Sequence, residues 1–231
     1  MRYHHINTSL IFFLMLMLCA CEEQDVPEEK ADDSDWIRLE IPEADEAYAV
    51  FGDIDHTLAV TTVGKAYYST DRGKTWQMSR DFQGVVYGLH YVDDTLFALH
   101  ASGRNNLGDA TASLPQHYSL DSGKVWHNYK GLRQYDLRVV VSVDTTSNGD
   151  IYKLEEHIAD NGYVNPSEVL KIKSTGPTTL DFPPRHNLHS LYLDASNRLY
   201  IAASGDRHNP EDNTLFCCYD ALVYVSRQPS P

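Results

Sequence analysis

Short apolar runs recur along the chain, and turns rich in aspartate or asparagine separate most of them. The runs are four to seven residues long, and none shows the sustained 3.6-residue period of an amphipathic helix. Tyrosine, valine, isoleucine, leucine and threonine dominate the runs, and these residue types favour strands. The pattern therefore predicts an all-β fold of short antiparallel strands.

A pair of apolar runs joined by an acidic turn occurs four times. The first runs cover residues 47–51, 86–91, 138–143 and 188–193, and the second runs cover residues 57–61, 95–99, 151–154 and 199–202. Each pair predicts two neighbouring strands of one sheet. Because one such sheet cannot bury both of its faces, the four copies are expected to stack against one another.

The pattern Ser-x-Asp-x-Gly-x-x-Trp follows the first two of these pairs. Its residues are Ser69, Asp71, Gly73 and Trp76 in the first copy, and Ser119, Asp121, Gly123 and Trp126 in the second. An aspartate in such a turn accepts backbone N–H groups, and glycine adopts a conformation that a Cβ penalises. The tryptophan offers a large apolar body to a neighbouring sheet. We therefore expect all eight residues to be structural.

These two motifs resemble the Asp-box, or BNR repeat, of sialidase-like and related β-propellers. Serines at 69, 119, 174 and 226 are spaced by 50, 55 and 52 residues, although the motif has decayed at the last two. The resemblance and the repeat length together imply a propeller of about four blades, each a four-stranded antiparallel sheet. An open arc, or a fragment of a longer propeller, is the alternative.

The fourth repeat has no segment left for an outermost strand. Residues 36–41 precede the first repeat and alternate between apolar and polar positions as a strand does. We predict that they pair beside residues 222–226 and close the ring. The propeller domain then spans residues 36–231.

The first residues resemble a bacterial lipoprotein signal. Arg2 is followed by an apolar run over residues 10–18, which is too short to span a bilayer, and the run ends in Leu-Cys-Ala-Cys. The resemblance implies that residues 1–20 are a signal peptide and that Cys21 carries the lipid that anchors the protein to a membrane. An ordinary secretory signal with an incidental cysteine is the alternative.

An acidic segment follows the lipidation cysteine. Eight acids and one base over residues 22–35 carry a net charge of −7, half of the −14 of the whole chain. Residues 21–35 are therefore expected to form a disordered tether. The position of the acids also resembles signals that send some lipoproteins to the outer face of the outer membrane. The predicted location is the cell envelope, and a spacer facing the periplasm is the alternative.

Charge and composition argue against several kinds of ligand. The domain is acidic and has no basic patch for phosphates, which argues against nucleic-acid binding. The nearest metal-ligand pair is His186 and His189, which lacks a third ligand at a suitable spacing, so we expect neither a metal nor another cofactor. His90 and His100 are expected to be ordinary surface or loop histidines. Adjacent Cys217 and Cys218 are compatible with free thiols, a strained ring, or a bond to another chain.

Three long segments are the candidate binding surface. They cover residues 103–116, 156–167 and 205–220, and each follows the second strand of a repeat. They are therefore expected to emerge on one face as loops, and long loops in compact folds often bind ligands. A module that binds a glycan or an envelope protein is the favoured function.

A sialidase-like glycoside hydrolase and a degenerate fragment of one are the alternatives. The Arg-Ile-Pro motif of sialidases is missing, since Glu40 precedes Ile41-Pro42. The candidate catalytic carboxylates are those of Glu155, Glu156 and Asp206. Arg104 or Arg207 directed at paired acids inside a pocket would favour the enzyme, whereas exposed aromatic residues on a loop face would favour a binding module.

Overall fold

The computed structural model describes residues 35–131, 137–158, 164–182, 186–208, 214–217 and 219–231. Every element in these ranges is a strand, and no helix there is long and apolar enough to span a bilayer. The predicted signal peptide, the lipidation site Cys21 and nearly all of the predicted tether lie outside the described residues.

Four antiparallel sheets contain all the strands. Blade one consists of β2 (Ala47–Gly52), β3 (Leu58–Thr62), β4 (Lys65–Ser69) and β5 (Gln77–Asp81). Blade two consists of β6 (Gly88–Val92), β7 (Thr95–Arg104), β8 (Ala110–Ser119), β9 (His127–Asn128) and β10 (Arg138–Val140). Blade three consists of β11 (Val143–Thr145), β12 (Ile151–Ile158), β13 (Val164–Lys173) and β14 (Gly176–Thr179). Blade four consists of β15 (His186–Leu193), β16 (Leu199–His208), β17 (Leu215–Phe216), β18 (Ala221–Ser226) and β1 (Trp36–Ile41).

The blades are arranged around a central channel. The first strands of the blades, β2, β6, β11 and β15, are innermost: β2 packs against β6 and β15, and β15 packs against β11. The molecule is therefore a four-bladed β-propeller, which confirms the predicted fold class. The face that carries the N-terminal ends of these inner strands is called the loop face below, and β7, β12 and β16 end on it.

The two ends of the described domain close the ring. β1 pairs with β18 in antiparallel register from Trp36 opposite Ser226 to Ile41 opposite Ala221. The first strand thereby becomes the outermost strand of the last blade. The predicted closure is confirmed, and the open-arc alternative is wrong.

Apolar side chains fill three of the four junctions between blades. The junction of blades four and one is built around Ile41, Val60 and Val223, and that of blades three and four around Tyr152, Leu188 and Leu222. Trp126 lies at the third junction, between blades one and two.

Blades two and three are joined mainly by polar contacts among the residues the structure describes. The N–H of Val141 donates to the Ala110 carbonyl, and the Ala110 N–H donates to Ser142 Oγ, both at 2.9 Å. The third predicted repeat is corrected here, because residues 138–143 do not form one inner strand. Arg138–Val140 joins blade two, the chain bends at Val141 and Ser142, and blade three starts at Val143.

Strand covers most of the described residues in the three predicted long loops. β7 ends at Arg104 and β8 begins at Ala110. Only a short turn therefore remains of the loop predicted over residues 103–116. β12–β13 and β16–β17 likewise extend into the segments 156–167 and 205–220. Cross-strand pairing continues through small and β-branched residues such as Thr111 and Ala112, which are buried and pair with Gly103 and Ser102 of β7.

Candidate functional site

The first acidic turn, residues 69–76, is held by its own side chains. Ser69 Oγ donates to Asp71 Oδ1 (2.8 Å) and accepts the N–H of Gly73 (2.9 Å). The Asp71 carboxylate also accepts the N–H and the hydroxyl of Thr75. These hydrogen bonds lower the pKa of Asp71 to about 2, so the carboxylate is ionised at neutral pH.

The second acidic turn, residues 119–126, repeats this geometry. Ser119 Oγ donates to Asp121 Oδ1 (2.7 Å) and accepts the Gly123 N–H (2.9 Å), and Asp121 Oδ1 accepts the Val125 N–H (2.9 Å). Gly123 has a φ of 89°, and a Cβ added there would lie 2.8 Å from the Cβ of Ala59 in blade one. The glycine is therefore needed both for its conformation and for the close approach of two blades.

Each tryptophan of these turns packs against the preceding blade. Trp126 is 5% exposed, and its Nε1 donates to Ser79 Oγ of blade one (3.1 Å). Trp76 packs on the cluster that contains Leu39 and Ile41 of blade four, while its Nε1 has no hydrogen-bond partner among the described residues. The geometry suits structural wedges, and none of the eight motif residues lines the cleft described next.

Two long hairpins meet on the loop face. Arg104, at the end of β7, forms an ion pair with Glu156 of β12, and it also donates from Nη1 to the Gly108 carbonyl (2.8 Å). Lys153 Nζ lies 2.9 Å from Asp109 Oδ1 and links the same two blades. Charged side chains therefore join blades two and three here, and an open cleft lies between the two blades.

This loop-face cleft has a volume of about 320 Å³. Its lining consists of Arg104, Leu107, Gly108, Asp109, Ala110, Ser142, Lys153, Leu154, Glu155, Glu156, Leu188 and His189. The volume lies at the lower end of the range typical of small-ligand pockets. Seven of these twelve residues carry polar or charged side chains, set among apolar surface that includes Leu107, Leu154 and Leu188, so the cleft can hydrogen-bond a polar ligand.

The ionisation states in the cleft follow from its contacts. Hydrogen bonds from Asn105 and the nearby Lys153 ammonium lower the pKa of Asp109, which is therefore ionised. Burial lowers the pKa of His189, although the carboxylates of Glu46 and Glu156 oppose this shift. His189 Nε2 is buried without a hydrogen-bond partner in the described part of the chain. The cleft therefore contains a neutral imidazole whose buried Nε2 has no partner among the described residues.

An aromatic pair adjoins His189. The ring of Tyr48 lies 4.5 Å from the His189 ring and 5.5 Å from the Tyr87 ring. The Tyr48 hydroxyl donates to Glu46 Oε2. Burial, followed by the Glu46 carboxylate, raises the pKa of Tyr48, so the phenol retains its proton and is a poor nucleophile.

The structure separates the candidate residues. Glu155, Glu156 and Arg104 line the cleft, whereas Asp206 and Arg207 do not, and the Arg207 guanidinium lies 5.5 Å from the Tyr219 ring. The charged partners Asp109 and Lys153 were missed, because their pairing across two blades leaves no local signal in the sequence.

His189 is the one histidine that lines the cleft within the described part of the chain. His186 Nδ1 hydrogen-bonds the Asp206 carbonyl (2.7 Å), and His100 Nε2 lies 3.0 Å from His117 Nδ1. Within the described ranges, no group of three or more His, Cys, Asp or Glu side chains is placed to hold a metal ion. Cys217 is exposed, and Cys218 lies outside the described residues.

No protein-family model matches this chain, and no curated protein sequence matches it. Solved propeller structures resemble it. A luciferin-regenerating enzyme is 9% identical, with 83% of this chain and 95% of that chain covered and a TM-score of 0.41. YCF48 from Cyanidioschyzon merolae is 12% identical over 81% and 75% of the two chains, with a TM-score of 0.32. The WD40 β-propeller domain of Doa1 is 9% identical, with 83% of this chain and 96% of that chain covered and a TM-score of 0.37. Because these sequence identities and TM-scores are low, the fold is established by the strand order and ring closure of the chain itself.

Proposed function

We propose that this protein is a binding module, anchored in the cell envelope by lipid on Cys21, that holds a glycan in the loop-face cleft. In this proposal residues 69–76 and 119–126 are Asp-boxes that clamp the blades, and they take no part in binding. The observation that carries the proposal is the cleft itself, where ion-paired side chains from two blades surround a buried and unpartnered imidazole nitrogen.

The lining suits a polyhydroxylated ligand. Sugar hydroxyls both donate and accept hydrogen bonds, so they match a site that mixes carboxylates, cationic donors and a neutral histidine. The Arg104–Glu156 and Lys153–Asp109 pairs hold these groups in place before a ligand arrives, which reduces the entropy lost on binding.

The charge balance favours a neutral glycan over a sialic acid. Three carboxylates, those of Asp109, Glu155 and Glu156, face two cations in the lining. Both cations already have a carboxylate partner, so neither is free to bind the carboxylate of an acidic sugar. An anionic ligand would meet net repulsion in the cleft.

Substitution of Arg104 by methionine tests this site. The change keeps a long side chain but removes the charged donor, and we expect the dissociation constant for a neutral oligosaccharide to rise about 10- to 100-fold. A neutral and sialylated glycan array would first identify the ligand, and isothermal titration would then measure its affinity for the wild type and the variant.

Arg38→Met is the matched control. Arg38 is also partly exposed and also paired with a glutamate, but it lies on outer strand β1, so its loss should leave affinity unchanged. Equal binding by wild type and Arg104→Met, or a preference for sialylated glycans, would contradict the proposal. Binding of an envelope protein at the cleft, lost in Arg104→Met, would identify the alternative partner.

A glycoside hydrolase is the second candidate, because consecutive Glu155 and Glu156 both line the cleft beside Arg104, the arrangement expected above to favour an enzyme. The register of β12 against β13 shifts after Glu155, which accounts for two adjacent residues reaching one cavity. Such enzymes need two carboxyl groups across a sugar. Turnover of neutral aryl glycosides that is abolished by both Glu155→Gln and Glu156→Gln would support this candidate over simple binding.

The lipid anchor has its own test. Cys21→Ser removes the acceptor sulfur, and we expect the protein to move from the membrane fraction to the soluble fraction, since the acyl chains supply the anchoring energy. Metabolic labelling with a fatty acid and cell fractionation measure this, with Cys217→Ser as the control. Equal labelling of wild type and Cys21→Ser would contradict lipidation at Cys21.

A further inference from the structure

A second cavity of about 460 Å³ lies at the opposite end of the central channel. The four inner strands run in the same direction around the axis, so their C-terminal ends meet on the face opposite the loop face. None of the residues that line this axial cavity lines the loop-face cleft. The glycan proposal therefore leaves this cavity without a role.

Three aromatic rings form a continuous wall of the axial cavity. Phe51 of blade one lies in the middle, with its ring centroid 5.2 Å from that of Tyr91 in blade two and 5.4 Å from that of Tyr192 in blade four. Tyr91 is 47% exposed. An aromatic side chain in water at a cavity mouth offers its ring to a ligand.

Blade three supplies a carboxylate across the axis from Phe51. Asp144 accepts the N–H of Thr145 at Oδ1 (2.8 Å) and the N–H of Leu193 at Oδ2 (2.9 Å). These two bonds fix its orientation and leave lone pairs on both oxygens. Asp144 forms no ion pair with a lysine or arginine of the described chain, so its charge is uncompensated.

The turns around the cavity add negative charge. Each turn that follows an inner strand carries aspartate, including Asp93, Asp94 and Asp194. Among the described residues these three form no ion pair with a lysine or arginine, although the backbone N–H of Arg198 donates to Asp194 Oδ1 (2.9 Å). Burial raises the pKa of Tyr192 to about 12, and the carboxylates of Asp194, Asp144 and Asp53 contribute to the shift. Carboxylates therefore outnumber cations in the turns at this end of the channel, where Arg72 and Arg198 both pair with Asp55.

We propose that the axial cavity binds an organic ammonium group, which packs against the aromatic wall and faces the Asp144 carboxylate. Aromatic faces attract weakly hydrated cations, and attraction is strongest where water is excluded. A small metal ion is a poorer fit, because hard cations need several oxygen ligands and Asp144 is the one carboxylate that lines this cavity within the described chain. The ammonium group belongs either to a free small amine or to a lysine side chain of a peptide.

Titration of the full chain with two pairs of probes tests the proposal. Choline is compared with its neutral isostere 3,3-dimethylbutan-1-ol, and acetyl-Gly-Lys-Gly-amide is compared with the same peptide containing norleucine. Chemical-shift changes in NMR spectra at low salt measure the affinities. We expect saturable binding of at least one cationic probe and binding of its neutral partner at least about 10-fold weaker.

Variants assign the binding to the axial cavity. Tyr91→Leu should lower the affinity for the cationic probe about 3- to 10-fold. Because Tyr91 is exposed, this change should not impair folding. Asp144→Asn should weaken binding of the probe further, whereas Tyr68→Leu, on β4 of blade one and away from the cavity, should have no effect.

The two cationic probes identify the source of the ammonium group. Choline binding points to a small amine, and binding of the lysine peptide alone points to a side chain. Equal binding of neutral and charged probes, no saturation, or no effect of Tyr91→Leu would overturn the proposal.

Discussion

Replacement of Trp126 by alanine is expected to lower the free energy of unfolding by about 3–5 kcal/mol. The side chain is 5% exposed and fills the junction of blades one and two beside Val86 and Leu96. Its loss leaves a cavity in that junction and removes the indole N–H that bonds Ser79. Urea denaturation followed by circular dichroism measures the change.

Trp76→Ala is the matched control at the other acidic turn. Trp76 is less buried, and its Nε1 has no hydrogen-bond partner in the described chain, so its replacement should cost about 1 kcal/mol less than that of Trp126. A loss below about 1 kcal/mol for Trp126→Ala would mean that the indole does not bind two blades together.

Ile41→Asp should unfold the domain or destabilise it by several kcal/mol. Ile41 has no exposed surface, pairs with Ala221 and packs in the junction of blades four and one. A carboxylate there would be buried without a partner, and an uncompensated buried charge costs about 3–5 kcal/mol. Thermal unfolding of the purified variant measures the loss.

The control for Ile41→Asp is Glu40→Gln on the same strand. Glu40 is exposed and pairs only with Arg38 at the surface, so removal of its charge should change stability by less than about 1 kcal/mol. Similar stabilities of Ile41→Asp and Glu40→Gln would show that β1 does not dock against the ring in solution.

The blade count and the closure were predictable because both rest on local pattern. Four pairs of apolar runs, which recur every 39 to 52 residues, specify four copies of one unit. The alternation of apolar and polar residues over 36–41 predicted a strand, and the fourth copy lacked its outermost one. The two acidic turns were readable for the same reason, since each is held by hydrogen bonds within eight residues.

The third repeat shows where local pattern fails. Residues 138–143 read as one apolar strand, yet the first half pairs with β8 while Val143 begins the next blade. Whether a short apolar run stays in one sheet depends on which neighbour offers an open edge, and that is a property of the assembled ring. The long loops were misread because strand pairing continued through residues that also suit a turn.

The candidate site was only partly predictable. The sequence placed Arg104 and Glu156 in segments expected on one face, with Glu155 just before one of them. It gave no sign of the Arg104–Glu156 pair, which joins residues 52 positions apart. The axial cavity was missed entirely, since Phe51, Tyr91, Asp144 and Tyr192 come from four different blades. Such sites arise from the register of several strands at once.

The central claim is that the chain forms a ring of four blades closed by its own first strand. Nuclear Overhauser contacts between backbone protons of residues 36–41 and 221–226 test it most directly. The structure predicts contacts in antiparallel register, from Trp36 with Ser226 to Ile41 with Ala221. The absence of these contacts, or a different register, would contradict the closed propeller and both binding sites built on it.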